Sequence, residues 1–260
     1  VEFYATEFDS LGLFLSAVSL GICLPPFNIA QTAPNGWGTG YIIAMLVVGF
    51  VLLVIFGLYE MLLARCPMLD FSSLANRTVV GACLLDATYQ ISYYCWANYF
   101  TSFLQVVNNL SIADAGYVNN TFNVVSGVLL LLVGYLIRRT GRFRWLLLVA
   151  VPLYIFAQGL MIYFRRPNQS VGYLVMCEVF ISVGGSIFII AQQISILAAV
   201  VHQHVAAALA LLYVVGTVGD ALGGTISGAI WTNVFYKALE KYLPADALPD
   251  LDDIYNSLDT

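Results

Sequence analysis

The stretch from Val200 to Trp231, VVHQHVAAALALLYVVGTVGDALGGTISGAIW, constrains this chain more than any other. After His202 and His204 it reaches Trp231 with a single charge, Asp220. That length suits a tilted helix crossing a bilayer, which needs about 20 apolar residues. Glycines recur at Gly216, Gly219, Gly223, Gly224 and Gly228. In a soluble helix each would cost about 1 kcal/mol relative to alanine. In a membrane, small residues at this spacing let neighbouring helix backbones approach closely. Tyr213, Thr217, Asp220, Gly224, Ser227 and Trp231 share one side of the helix, which is therefore expected to face protein or water.

The rest of the chain repeats the theme. Hydrophobic residues make up 60% of it and charged ones 10%, against about 25% charged in soluble domains. The fold class expected is all-α, a polytopic transmembrane helical protein. Apolar runs separated by short polar loops give about seven spans: 11–31, interrupted by Pro25-Pro26, then 40–63, 79–106, 113–137, 145–164, 171–200 and 205–232. Acids cluster at the two ends, and the tail after Tyr242, with Pro244 and Pro249, reads as a loop. The acidic start at Val1 is unlike a signal peptide, and the chain reads as part of a longer protein. No basic domain or stripe supports nucleic-acid binding. The five cysteines are scattered without a CxxC pair, so they read as buried thiols and not as disulfides or metal ligands.

The loop RRTGRFR, with Arg138, Arg139, Arg142 and Arg144, carries the densest positive charge. Positive loops face the cytoplasm, which places Arg65, Arg77 and the His202-Gln-His204 turn inside as well. Arg165-Arg166, the sequons at Asn109 and Asn168, and the acidic tail then lie outside.

Three acids fall within expected spans: Asp86, Glu178 and Asp220. A charge at the centre of a membrane helix costs about 2.5–3.5 kcal/mol on insertion scales, so such residues face cavities or proton paths. Burial disfavours the ionised form of a carboxyl group, which makes each acid a candidate proton carrier. The bland alternative is a hydrogen bond between helices. Asp86 shares a face with Gln90 and Tyr93, flanked by Tyr89, on a span that adds Tyr94, Trp96, Asn98 and Tyr99. Glu178 shares one with Ser182, Gly185 and Gln192. With Asn119, Asn120 and Asn123, these side chains could line a wide cavity for a large polar ligand. His202 and His204 are two apart and would point to different sides of a helix, so a turn suits them better than a metal pair. Asp86 and Asp220 also lack the sequence context of an intramembrane aspartyl protease.

GYLIRRTGRFR, from Gly134 to Arg144, resembles the Gly…Arg-x-Gly-Arg signature of the major facilitator superfamily. Asn76 to Asp86 (NRTVVGACLLD), Tyr99 to Ser111, Val151 to Tyr154, Gly159 to Arg165 and Gly172 to Cys177 are similar to fungal siderophore–iron transporters of that superfamily. So are His202 to Ala206, Ala210 to Leu212 and Ser227 to Asn233. The resemblance covers nearly the whole chain. It implies a fourteen-helix, proton-coupled importer of ferric siderophores working by alternating access, in a plasma or endosomal membrane, with helices seven to thirteen present here. Residues 1–76 would hold two linker-type helices and a cytoplasmic loop. Residues 77–232 would form five helices of the C-terminal half, and 233–260 an outer loop before a final helix that is missing. The N-terminal half of the same protein would complete the cavity, within the lipid bilayer.

Asp86 and Glu178 would then couple protons, and Tyr89, Gln90, Tyr93, Trp96, Asn123 and Gln192 would contact ligand. Arg138, Arg139, Gly141 and Arg142, with His202 and His204, would belong to gating loops. Iron is held by the siderophore, so neither protein metal ligands nor a cofactor nor enzymatic activity is expected. The chain departs from the pattern where Asp220 replaces an expected glycine, which weakens Asp220 as the proton site. It departs again at Gln192-Gln193, where an acid is usual. A proton-coupled drug exporter of the same fold and a non-transporting nutrient receptor are the alternatives.

Overall fold

The first expected span breaks where its prolines fall. In the computed structural model, which describes residues 10–30, 33, 36–63, 76–167, 169–201, 204–244 and 254–255, helix α1 covers Ser10–Cys23 and α2 covers Pro25–Ile29. Pro25 opens α2, where its missing N–H leaves no intrahelical bond unmade. At 14 residues, α1 rises only about 21 Å, short of a hydrocarbon core of about 30 Å. Helix α3, Gly40–Leu62, runs its full expected length. It meets α1 closely: a Cβ on Gly49 would come within 2.7 Å of the Cys23 Cα and Cβ.

The third expected span, read as one helix over 79–106, is two. Helix α4, Arg77–Ala97, ends in a turn at Asn98-Tyr99, and α5, Phe100–Asn108, follows. Tyr99 at φ −107°, ψ 5° leaves helical geometry. Asn98 precedes it, a residue whose short amide competes for backbone hydrogen bonds and favours turns. Asn109 then takes a left-handed conformation, φ 52°, which asparagine tolerates better than most residues. Ser111 caps α6, Ile112–Thr140, by accepting the Asp114 N–H at 3.1 Å.

Helices α7 (Arg144–Phe164), α8 (Val171–Ala199) and α9 (Val205–Ile230) complete the set of long elements. Among the described residues five helices, α3 and α6 to α9, are long and apolar enough to cross a membrane. Helix α4 has the length, at 21 residues, but Asp86, Gln90 and its tyrosines dilute its apolar character. Leu131, Leu148 and Ile162 are each more than three-quarters exposed, an arrangement suited to lipid rather than water. Beyond Ile230 the chain does not become a loop at once. A π-helical segment, Trp231–Phe235, leads into α10, Tyr236–Tyr242. The sequence YKALEKY is rich in strong helix formers, and the helix stops two residues before Pro244. The greater part of the acidic tail lies outside the described residues. No strand occurs among the described residues.

The chain divides into two units, one holding α1 to α3, α4 through Cys95, and residues 195–232, the other holding 96–194 and 233 onward. The core of the first is Val79, Ala82 and Cys83 of α4 against Ile196, Ala208 and Leu212. Asn76 Nδ2 donates to the Ala199 carbonyl at 3.2 Å, tying the start of α4 to the end of α8. The second unit joins α8 to α6 through serines. Ser182 Oγ donates to the Phe122 carbonyl at 3.3 Å and Ser186 Oγ to the Ser126 carbonyl at 3.4 Å. Each serine also donates to the carbonyl four residues earlier, at 2.7 and 2.6 Å. Gly184 admits Tyr154 of α7, whose ring packs edge-on against Phe188 at 5.5 Å.

Candidate functional site

In the first unit the glycines of α9 form a seam against α4. Gly216, Gly219 and Gly223 are buried on one face. A Cβ on Gly219 would stand 2.6 Å from the Ala87 carbonyl oxygen, and one on Gly223 would stand 2.9 Å from that of Ile91. Backbone therefore meets backbone, as small residues allow in membranes. One turn further along, the Asp86 carboxyl group lies directly over Gly216. Asp86 is 4% exposed. Tyr89, also buried, stacks on Tyr93 at 6.4 Å, and Tyr93 meets Tyr94 edge-on at 5.3 Å. Gln90 is half-buried beside them.

Asp220 is half-buried on α9, within electrostatic reach of the Tyr94 hydroxyl. The side of α9 expected to face protein or water is mixed. Tyr213 and Thr217 are exposed, whereas Gly224 and Ser227 are buried. Asp220 is half-buried beside the buried glycines of the seam, so Asp220→Gly should leave assembly intact. Size-exclusion profiles and thermal melting check this; aggregation or a lowered melting temperature would make Asp220 part of the packing.

In the second unit Glu178 is 1% exposed, and neither carboxyl oxygen has a hydrogen-bond partner among the described residues. Its backbone carbonyl is taken by Ser182. Gln192 is buried on the same helix and Gln193 half-buried. Trp96 is half-buried, edge-on to Phe100 at 5.2 Å. Asn123 is exposed and donates through Nδ2 to Asn120 Oδ1 at 2.9 Å. The anticipated residues thus fall into two groups: Asp86, Tyr89, Gln90, Tyr93 and Asp220 in the first unit, and Trp96, Asn123, Glu178 and Gln192 in the second.

A fourth acid within a span went unread in the sequence. Glu60 of α3 is 3% exposed. The available signal was register: Ile42, Gly49 and Glu60, the buried residues of α3, recur along one stripe of a helix.

The arginine loop starts at the C-terminus of α6, where Gly141 at φ 66° donates its N–H to the Ile137 carbonyl at 2.8 Å. Arg138 and Arg139 occupy the last turn, where positive charge complements the helix dipole. Arg139 Nη1 donates to the Tyr135 hydroxyl at 3.3 Å. His204 is half-buried at the start of α9, and His202 lies outside the described residues. Among the described residues no three His, Cys, Asp or Glu side chains come together as a metal site.

Apolar spans joined through glycine and serine, with acids buried inside them, are the build of a polytopic integral membrane protein. The chain belongs to the Major Facilitator Superfamily, whose sequence profile matches residues 83–239. It is 59% identical over 257 residues to the siderophore iron transporter mirB of Emericella nidulans, covering 99% of this chain and 42% of that protein. It is 52% identical over 259 residues to the MFS siderochrome iron transporter D of Aspergillus fumigatus, covering 100% of this chain and 43% of that one. With the siderophore iron transporter 1 of Schizosaccharomyces pombe it shares 34% over 252 residues, or 97% of this chain and 41% of the relative. The chain therefore spans about two-fifths of the length of the curated relatives it matches.

Proposed function

We propose that this protein imports ferric siderophores, driven by a proton gradient, through alternating access. The observation that carries the reading is 59% identity, along almost the entire chain, to a protein named as a siderophore iron transporter. Burial of Asp86 and Glu178 supports the proton coupling. Ionisable residues buried within membrane spans mark proton relays and ion pathways. Two such acids on different helices are groups through which a proton can be loaded and released as the protein changes state.

In this reading Tyr89, Gln90, Tyr93, Trp96, Asn123 and Gln192 contact the siderophore by stacking and amide hydrogen bonds. Its iron stays within the siderophore. Transporters of this general kind bind substrate near the midplane between repeats. The loop from Arg138 to Arg142 gates on the cytoplasmic side, the side that its positive charge favours. The test is uptake of radiolabelled ferric hydroxamate siderophores by yeast without its own carriers, expressing the complete gene, with and without a protonophore. Uptake that collapses with the gradient is expected. Absence of uptake from a correctly localised protein overturns the reading.

A further inference from the structure

A cavity of about 500 Å³ opens at the turn between α6 and α7, lined by Gly141, Arg142, Phe143, Arg144, Trp145 and Leu148. We propose that this cavity binds the headgroup of an anionic phospholipid, with Arg142 and Arg144 on its phosphate and Trp145 and Leu148 against the start of its acyl chains.

Four features converge on that ligand. Arg142 and Arg144 are exposed, and no carboxylate pairs with either among the described residues. Arg138, one turn before Gly141, adds a third unpaired cation to the same end of α6. The N-terminus of α7 has no side-chain cap and no acid in its first turn, so its leading N–H groups and dipole favour an anion. The rest of the lining is largely apolar: Trp145 is 41% exposed and Leu148, one turn further along a helix able to cross a membrane, is 77% exposed. A site whose cationic rim passes within one helical turn into a lipid-facing apolar wall matches a molecule that is itself anionic at one end and hydrocarbon at the other. Tryptophan is at home at that level of the bilayer. A free anion would use the arginines and leave the apolar wall unoccupied.

The test is titration of the detergent-purified protein with phosphatidylserine, phosphatidylcholine or inorganic phosphate, read by native mass spectrometry as bound lipid and by the fluorescence change that Trp145→Phe removes. Phosphatidylserine is expected to bind in preference to phosphatidylcholine. Basic groups near an anionic surface are worth about five-fold in affinity each, so R142Q/R144Q should weaken phosphatidylserine binding by about 25-fold. Both arginines are exposed, and the double variant is expected to keep the thermal stability of its parent. Equal binding of the two lipids, or an unchanged affinity in R142Q/R144Q, overturns the proposal. So does displacement of bound lipid by inorganic phosphate at concentrations where chloride has no effect, which would make the cavity a simple anion site.

Discussion

Substituting leucine for Gly219 is expected to part α4 from α9 and leave the protein unable to assemble. A Cβ there would press on the Ala87 backbone, 2.6 Å from its carbonyl oxygen and 2.9 Å from its Cα. Backbone cannot swing aside as a side chain can, so the helices themselves must separate. Overpacking of this kind costs about 1–3 kcal/mol in well-packed cores, and leucine adds three carbons beyond the Cβ. Size-exclusion profiles and thermal melting of a fluorescent fusion give the readout. A monodisperse Gly219→Leu protein melting with its parent would show that the seam does not hold the first unit together. Gly216→Ala supplies the contrast, because the atom it meets belongs to the Asp86 carboxyl group. That side chain can rotate away, so the variant should fold while its acid is displaced.

Under the proposed mechanism, Asp86→Asn abolishes proton-driven uptake, down to the level of cells with an empty vector, while the protein still reaches its membrane. The amide keeps the shape of the carboxyl group and its capacity to accept a hydrogen bond, but it cannot exchange a proton at physiological pH. Asp86 is buried against the α9 seam, and nearly isosteric replacement leaves that packing undisturbed. The paired measurement is siderophore binding alongside uptake. Binding retained with uptake lost is the expected pattern, and normal uptake by this variant would remove Asp86 from the proton path.

The long spans were legible because the physics that makes them is simple: an unbroken apolar run must bury its backbone groups in a helix to cross lipid. The glycine seam was legible for a similar reason, since repeated glycine within an apolar helix has few uses other than close approach. Local competition was harder to read. The turn at Asn98-Tyr99 interrupts a run whose unbroken length reads as one span, and only the asparagine hints at it. The stretch from Lys237 to Tyr242 was read as tail because acids and prolines follow it, although its own residues prefer helix. For the candidate site, the sequence located Asp86, Glu178 and Asp220 but missed Glu60, and it did not give their surroundings. Residue order does not reveal that the Glu178 carboxyl oxygens lack hydrogen-bond partners among the described residues, while Asp220 is half-buried.

The two helices of the seam are made at different times. About a hundred residues separate Ala97 from Val205, and a ribosome adding about 5–20 residues per second takes about 5–20 s to cover them. Throughout that interval α4 has no α9 to cover Asp86, and an acid at the centre of a membrane helix costs about 2.5–3.5 kcal/mol to insert. During that interval α4 therefore carries its acid without the partner that covers it in the finished fold. A chain halted before Val205 would leave Asp86 without the glycine face that lies against it.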